Sequence, residues 1–206
     1  MSNMIISNFE YDINEQLEAI ISNVFKMLQY RKLINKFANE TIKSAIHQIK
    51  KKMEYDIKLN VKDRKNDDLY KLIILNEDLE RLTSGTDTLS YMSKYPNIHK
   101  IIIVNSINKN IELQIMSKPK TEIFIRSYFM INIAEYKYVP QHILLTDDEK
   151  KKVVDEYNIP LNNYPKIMLS DPMSKYCNAN IHDIIKIIRP SAVSGFVFYY
   201  RYVIKG

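Results

Sequence analysis

The residues that could do chemistry in this chain are few and scattered. Cys177 is the single cysteine and stands near a predicted helix end, where a small apolar role is favoured over that of a nucleophile. Ser191 has no histidine suggested as its partner. The four histidines lack the spacing of a metal site: His47, His99, His142 and His182. We therefore expect no metal, no cofactor and no nucleophilic catalysis.

One short pattern is compatible with a nuclease. Restriction-type enzymes need carboxylates for Mg²⁺ and a lysine beside the last strand of the core. Glu135-Tyr136-Lys137 follows the apolar run "FMINI" and has that form. A pattern this short arises readily by chance in a charged chain, and no Pro-Asp strand end stands at a suitable distance upstream. A metal-dependent nuclease stays a minor alternative.

Glycine usage argues against a nucleotide-binding enzyme. The only glycines are Gly85, Gly195 and Gly206. Neither glycine-rich phosphate loop can be written with them. We expect no small-molecule substrate.

The charge distribution is mild in both halves of the chain. The formal net charge is +6, and residues 1–134 hold 20 Lys and Arg against 16 Asp and Glu. The one dense cluster, Lys50-Lys51-Lys52, stands where a predicted helix ends, and cations there suit the helix dipole. A free basic DNA-binding module predicts a stronger surplus and is the second alternative.

Length and hydropathy favour an intracellular protein with more than one folded part. With 206 residues the chain is long enough for two small domains. No apolar run reaches the roughly 20 residues of a membrane span. The N-terminus lacks the pattern of a signal peptide.

The first two thirds of the sequence alternate between helical and strand periodicity. Helices are predicted over 13–33, 40–53 and 86–95, the last opened by Thr86, and strands over 55–61, 69–75, 99–106 and 122–133. The segment 64–68 has the composition of a turn. This alternation is typical of an α/β layer domain, which we place at 1–134.

From residue 135 the predicted elements are short and are separated by helix caps, prolines and turn residues. Thr146 and Glu149 form a capping box, and Asp171-Pro172 combines a favoured N-cap with proline at the first helical position of a short helix ending at Asn178. A short strand is predicted at 164–167, and "DIIKIIRP" and "GFVFYYRYVI" form a closing β-hairpin. We therefore expect a small α+β domain at 135–206.

Three residues of the hairpin have expected roles at the end of its first strand and in its turn. Pro190 is expected to break the first strand because it has no amide, Ser191 to bond the turn backbone, and Gly195 to supply a positive φ. Arg189 and Arg201 can either bind carboxylates of a partner or cap the domain's own sheet edge.

In their order and spacing, these features closely resemble the fifth common subunit of eukaryotic RNA polymerases and its archaeal counterpart. The resemblance rests on "VPQH", the capped helix "LLTDDEKKKVVDEYNI", "YPKI", "SDP" with Tyr176, and "IIKIIRPSAVSGFVFYYR", where the family reads "VKIIRPSETAG...YR". It covers about 70 residues. Residues 1–134 resemble the eukaryotic jaw domain in length and element order.

The resemblance implies a non-catalytic subunit of a DNA-directed RNA polymerase. Its C-terminal module would dock on the largest subunit and support assembly, and its jaw would lie beside downstream duplex DNA and bind it weakly. No membrane is involved. Carried over by position, the docking residues would be Pro140, His142, Asp171, Pro172, Arg189, Pro190, Ser191, Gly195, Tyr200 and Arg201.

Three positions depart from the family, and two of them, Ala192 and Phe196, suggest a co-adapted partner surface. Ala192 replaces a glutamate, Asn178 a glycine, and Phe196 an arginine. With the Ile-, Lys- and Asn-rich composition of an AT-rich genome, they indicate a large DNA virus, hence host cytoplasm and virion. An AT-rich protist, hence a nuclear protein, is the alternative.

Overall fold

The structure, a computed structural model, describes residues 13–60, 69–83 and 85–205. The chain forms two compact units, Met1–Ile131 and Asn132–Gly206. The boundary expected after residue 134 lies inside the 3-10 turn Ile133–Glu135 at the start of the second unit. The predicted turn at 64–68 and the end of the predicted strand 55–61 lie outside the described residues.

The N-terminal unit is a mixed α/β structure. Its elements are α1 Ile13–Tyr30, α2 Asn39–Lys52, β1 Glu54–Lys58, β2 Leu69–Ile74, β3 Asp78–Leu79, α3 Asp87–Lys94, β4 His99–Val104, β5 Ser106–Ile107, α4 Lys109–Met116 and β6 Thr121–Ile125. The main sheet has the order β1-β2-β4-β6, with β2, β4 and β6 parallel and β1 antiparallel at the edge. β3 and β5 form a separate parallel pair.

The β-branched runs of this unit form the centre of its core. Every residue of β4 is buried, as expected for a parallel strand covered on both faces. On one face Ile73, Ile102 and Ile123 pack in a cluster with Ile111 and Ile115 of α4. The predicted helices at 13–33 and 40–53 and the predicted strands at 69–75 and 99–106 are confirmed within a few residues at their ends.

The predicted strand 122–133 is wrong beyond Ile125, where a 3-10 helix Arg126–Phe129 begins. The reason is aromatic packing: the rings of Tyr128 and Phe129 each lie 5.0 Å from that of Phe124. Asn23 also donates a 2.7 Å hydrogen bond to the Phe129 carbonyl. A continuing strand would send alternate side chains to opposite faces and lose these contacts.

The start of α3 also differs from expectation. Thr86 does not cap the helix, because its hydroxyl donates to the Thr83 carbonyl instead. The Glu77 carboxylate accepts the amides of Asp87 and Thr88 and the Thr88 hydroxyl. The helix α4, opened by Asn108, was not predicted, although Ile111 and Ile115 have helical spacing.

The C-terminal unit contains four strands and two α-helices within its described residues. They are β7 Gln141–Leu144, α5 Asp147–Tyr157, β8 Lys166–Met168, α6 Pro172–Tyr176, β9 Ile184–Ser191 and β10 Gly195–Ile204. The sheet order is β7-β9-β10-β8, with β8 parallel to β10 and the other pairs antiparallel.

The expected caps of this unit are confirmed. Thr146 and Glu149 form the complete capping box of α5. The Asp171 side chain accepts the Met173 amide ahead of α6, and Asn178 adopts a left-handed φ of 54°. On one face of the sheet Ile184 and Tyr202 pack with Val153 and Tyr164. The opposite face packs Ile185, Ile187 and Val203 with Ile167 and Ala179.

The expectation that Pro190 breaks the first hairpin strand is wrong. β9 continues through Pro190, which lies opposite Phe196. The Val203 amide bonds the Asp183 carbonyl, so odd-numbered residues of β10 form its hydrogen bonds to β9 and the Pro190–Phe196 pair is a non-bonded one. The pairing of β7 with β9 ends at Ile188, so no described strand needs an amide from Pro190.

Candidate functional site on the closing hairpin

The pleat of the closing hairpin sorts its side chains onto two faces. Directly paired residues share a face, and β10 pairs Val197 with Arg189, Tyr199 with Ile187 and Arg201 with Ile185. β7 adds His142, which pairs with Ile187. We call the surface formed by His142, Arg189, Tyr199 and Arg201 the arginine face.

Both guanidiniums of the arginine face lack an ion pair within the described part of the chain. Arg189 is exposed, and its Cζ lies 5.2 Å from the centroid of the Tyr199 ring, a cation–π contact. Arg201 is half-buried on the same face, where it pairs with Ile185, four residues along β9 from Arg189. Two forked cations on a strand surface can bind carboxylates or carbonyl groups of another molecule.

His142 forms the buried floor of the arginine face. It is 7% exposed, and its Nδ1 lies 2.7 Å from the Pro140 carbonyl oxygen. Burial lowers the pKa of His142; the Pro140 carbonyl and Asp171 oppose that effect, while Arg201 and Arg189 reinforce it. The ring is therefore held neutral at physiological pH, as a positioned packing group rather than a charged one.

The hairpin turn presents apolar side chains to solvent. Ser191 Oγ accepts the amides of Val193 and Ser194 at 3.4 Å each, and Gly195 has a φ of 74°, so both expected turn roles are confirmed. Val193 is 98% exposed and Phe196 65% exposed. A turn fixed by its own hydrogen bonds holds these side chains in place without covering them.

The residues predicted from the sequence do not form one cluster. Tyr200 and Pro190 lie on the face that packs against α5, where the Tyr200 ring is 5.6 Å from that of Tyr157. Pro172 is an exposed residue at the start of α6, and Asp171 caps that helix. The sequence interpretation missed Tyr199, and it missed Phe198, whose ring lies 4.1 Å from Lys186 Nζ. The strand alternation of an aromatic-rich run would have indicated both.

The described residues do not place Glu135 and Lys137 beside the last strand of the core, as the nuclease alternative requires. β6 ends at Ile125, and the exposed Glu135 lies in a 3-10 turn with exposed Lys137 after it, not at the end of a sheet strand. Over 13–60, 69–83 and 85–205, no group of three or more His, Cys, Asp or Glu side chains could hold a metal ion. No helix in those ranges is long and apolar enough to cross a membrane.

A buried charge network in the N-terminal unit was not predicted. Arg31 donates to both oxygens of Glu122, at 3.0 and 2.7 Å, and His99 Nε2 lies 2.6 Å from Glu122 Oε1. The His99 ring stacks on Tyr70 with centroids 4.0 Å apart. Burial by itself would raise the pKa of Glu122, but Arg31 and His99 together outweigh burial and hold that pKa well below its usual range.

The C-terminal unit thus has its own core and caps, and its closing hairpin displays aromatic rings and two arginines that have no ion pair among the described residues. That combination is typical of a protein-interaction module. Comparison with known proteins identifies the family. Residues 131–203 match the family model described as RNA polymerase Rpb5, C-terminal domain.

Three relatives define the extent of the similarity. The chain is 40% identical over 72 residues to the DNA-directed RNA polymerase subunit Rpo5 of Methanosphaera stadtmanae, covering 35% of this chain and 94% of the archaeal one. It is 26% identical over 192 residues to the DNA-directed RNA polymerase subunit 5 of Acanthamoeba polyphaga mimivirus, covering 93% of both chains. It is 34% identical over 83 residues to the DNA-directed RNA polymerases I, II, and III subunit RPABC1 of Caenorhabditis elegans, covering 40% of this chain and 39% of the nematode one.

This chain belongs to the RNA polymerase subunit 5 family. The match to the archaeal subunit spans nearly all of that protein, and the match to the viral subunit extends through both units of this chain. The resemblance inferred from the spacing of the C-terminal motifs is confirmed.

Proposed function

We propose that this protein is a non-catalytic subunit of a multisubunit DNA-directed RNA polymerase, and that its C-terminal unit docks on the largest subunit. The docking proposal rests on the arginine face, where Arg189 and Arg201 have no ion pair among the described residues. A unit that satisfies its caps and core internally has no structural need for an exposed and a half-buried guanidinium, both without an ion pair among the described residues, on the same face as an exposed tyrosine.

The N-terminal unit, in this proposal, lies beside downstream duplex DNA in the assembled polymerase. Its charge surplus is small, so it neutralises few phosphates and gains little affinity from counterion release. The full chain alone is therefore expected to bind duplex DNA weakly at physiological salt. The free basic DNA-binding module, the second alternative, requires the opposite result.

The similarity to a viral subunit over both units supports a large DNA virus as the source. In that case the protein acts in the host cytoplasm and is carried in the virion. A cellular source would place it in the nucleus instead.

Co-purification tests the proposed assembly. A tagged full-length chain, expressed in the cells or infection that produce the native protein, is expected to bring down the two largest polymerase subunits, identified by mass spectrometry. The matched control is the same chain carrying Arg189→Ala and Arg201→Ala together, which should recover much less of both. Recovery of neither subunit by the unmodified chain would refute the proposal.

A further inference from the structure

One edge of the closing hairpin is open along most of its length. β8 pairs with β10 only at Tyr202, Val203 and Ile204. β8 begins directly after Pro165, which has no amide to continue the pairing along β10. From Gly195 to Arg201, therefore, β10 has β9 on one side and no described strand on the other.

The backbone groups that face this open edge can be assigned. The Val203 amide bonds the Asp183 carbonyl of the β9 side, whereas the Tyr202 amide bonds the Pro165 carbonyl of the β8 side. Antiparallel pairing alternates along a strand, so the amides and carbonyls of Phe198 and Tyr200 point away from β9. They form the unpaired template of an edge strand.

The two edges of the hairpin differ in a way that favours pairing at β10. Natural sheets protect exposed edges with charges, prolines or bulges. On the β9 edge, Pro190 stands beyond the end of β7 and removes the outward amide at that position. Along the open stretch of β10 there is no proline, and the one charged residue, Arg201, stands at the end next to β8.

The geometry points to strand addition: an extended segment of the docking partner, alternating apolar and acidic residues, pairs with β10 along the Phe198–Tyr200 edge. The inference rests on the proposed docking function and specifies its mode. The added strand's apolar side chains would lie beside Phe196 and Phe198, which are 65% and 50% exposed. Its acidic side chains would lie on the other face, beside Arg201 and within reach of Arg189.

Charge complementarity favours an acidic segment of the docking partner, rather than a second copy of this chain, as the added strand. Arg189 and Arg201 are the charged residues of the arginine face that lack an ion pair, and Gly195 to Tyr200 carries no carboxylate to offer them. Pairing β10 with its own copy would leave all four guanidiniums of the dimer without partners. An acidic segment supplies carboxylates to which the guanidiniums can donate bidentate hydrogen bonds.

The first experiment measures peptide binding at the β10 edge in the unmodified full chain. The probe is a peptide of about ten residues, the upper length of a common strand, in which Val and Ile alternate with Glu. Hydrogen exchange measured by NMR is expected to slow about tenfold or more at the amides of Phe198 and Tyr200. A tenfold change corresponds to about 1.4 kcal/mol in the free energy of local opening. The amides of Tyr199 and Arg201, already bonded to β9, should not change.

Two matched peptides isolate the backbone and the charge. The first carries N-methyl groups on every second residue, so that the amides along one edge of the peptide can no longer donate hydrogen bonds. It is made in two versions, or phases, one methylated at the odd positions and the other at the even positions. One phase should bind like the parent peptide, and the other should not bind. The second peptide has Lys in place of Glu and should bind about tenfold more weakly or worse.

Several results would overturn strand addition. They are no binding of the parent peptide at about 1 mM, binding without slowed exchange at Phe198 and Tyr200, and equal binding by both N-methyl phases. A dimer of the chain alone that protects the same two amides would assign the edge to a second copy and would also overturn the inference.

A second experiment separates this mode from the proposed docking itself. Phe198→Pro removes an outward amide while leaving the hydrogen bonds to β9, as Pro190 does on the opposite edge; Phe198→Ala removes the ring and keeps the amide. In the co-purification, the proline variant should recover the largest subunit about tenfold less than the alanine variant does. Equal recovery by both variants refutes strand addition but not docking, whereas failure of the unmodified chain refutes docking.

Discussion

Arginine is used in opposite ways in the two units of this protein. In the N-terminal unit the Arg31 side chain is 4% exposed and forms a bidentate pair with Glu122. In the C-terminal unit Arg189 and Arg201 lie on a strand surface with no carboxylate of the described residues paired to them. A buried paired charge belongs to the fold, because removing either partner leaves an uncompensated charge. An unpaired surface charge contributes little to folding and can be used for binding.

The largest expected effect comes from breaking the buried pair. Arg31→Ala should lower the free energy of unfolding of the N-terminal unit by about 3 to 5 kcal/mol, because Glu122 would stay buried without its main counter-charge. Urea unfolding followed by a probe within this unit measures it. Arg189→Ala is the control and should stay within about 0.5 kcal/mol of the parent protein. Comparable losses in both variants would contradict the division between structural and binding arginines.

The same network predicts acid sensitivity of the N-terminal unit. The pKa of Glu122 is lower in the folded chain than its unfolded value of about 4.3, because Arg31 and His99 face its carboxylate and outweigh burial. The resulting stability is fully present above the unfolded pKa and is lost as the pH falls towards the folded pKa. Each unit of pKa difference corresponds to about 1.4 kcal/mol.

Unfolding measured as a function of pH checks this linkage. Glu122→Gln should flatten the loss of stability below about pH 4 while lowering stability at neutral pH. Tyr70 also packs against this network, with its ring stacked on that of His99. An unchanged acid profile in the Gln variant would show that other carboxylates cause the acid unfolding.

The arginine face gives the next effect, on assembly rather than stability. Arg189→Ala should weaken association with the largest polymerase subunit by about tenfold or more, which corresponds to about 1.4 kcal/mol. Replacing a desolvated, hydrogen-bonded charge at an interface costs more than replacing a rim charge. Pull-down titration measures the affinity, and the melting temperature of the variant should be nearly unchanged. Unfolding of the C-terminal unit with normal affinity of the folded fraction would make Arg189 a structural cap.

Sequence patterns predicted the elements best where local rules act alone. The helical stripe of α1, the capping box at Thr146 and the buried run of β4 each follow from residues close together in the chain. The turn at Ser191 and Gly195 is also local, which is why its details were anticipated.

The errors have long-range causes. Arg31 directly follows α1 and Glu122 lies in β6, 91 residues apart in the sequence, so no local pattern pairs them. The strand predicted through residue 133 ends early because Phe129 packs back on Phe124. Pro190 stays in a strand because β7 is too short to reach it. The open edge of β10 likewise depends on where β8 begins, which no local pattern specifies.

The smallest expected effect compares two threonines at helix starts. Thr146 accepts the Glu149 amide and completes a capping box, so Thr146→Ala should destabilise the C-terminal unit by about 1 kcal/mol. Thr86 precedes α3 in the same position, but its hydroxyl bonds the Thr83 carbonyl while Glu77 accepts the helix amides. Thr86→Ala should therefore cost the N-terminal unit only about half of that or less, whereas Glu77→Ala should cost about 1 kcal/mol. Urea unfolding with a separate probe in each unit measures all three. A larger loss from Thr86→Ala than from Glu77→Ala would mean that the threonine caps α3 in solution, as the sequence alone suggested.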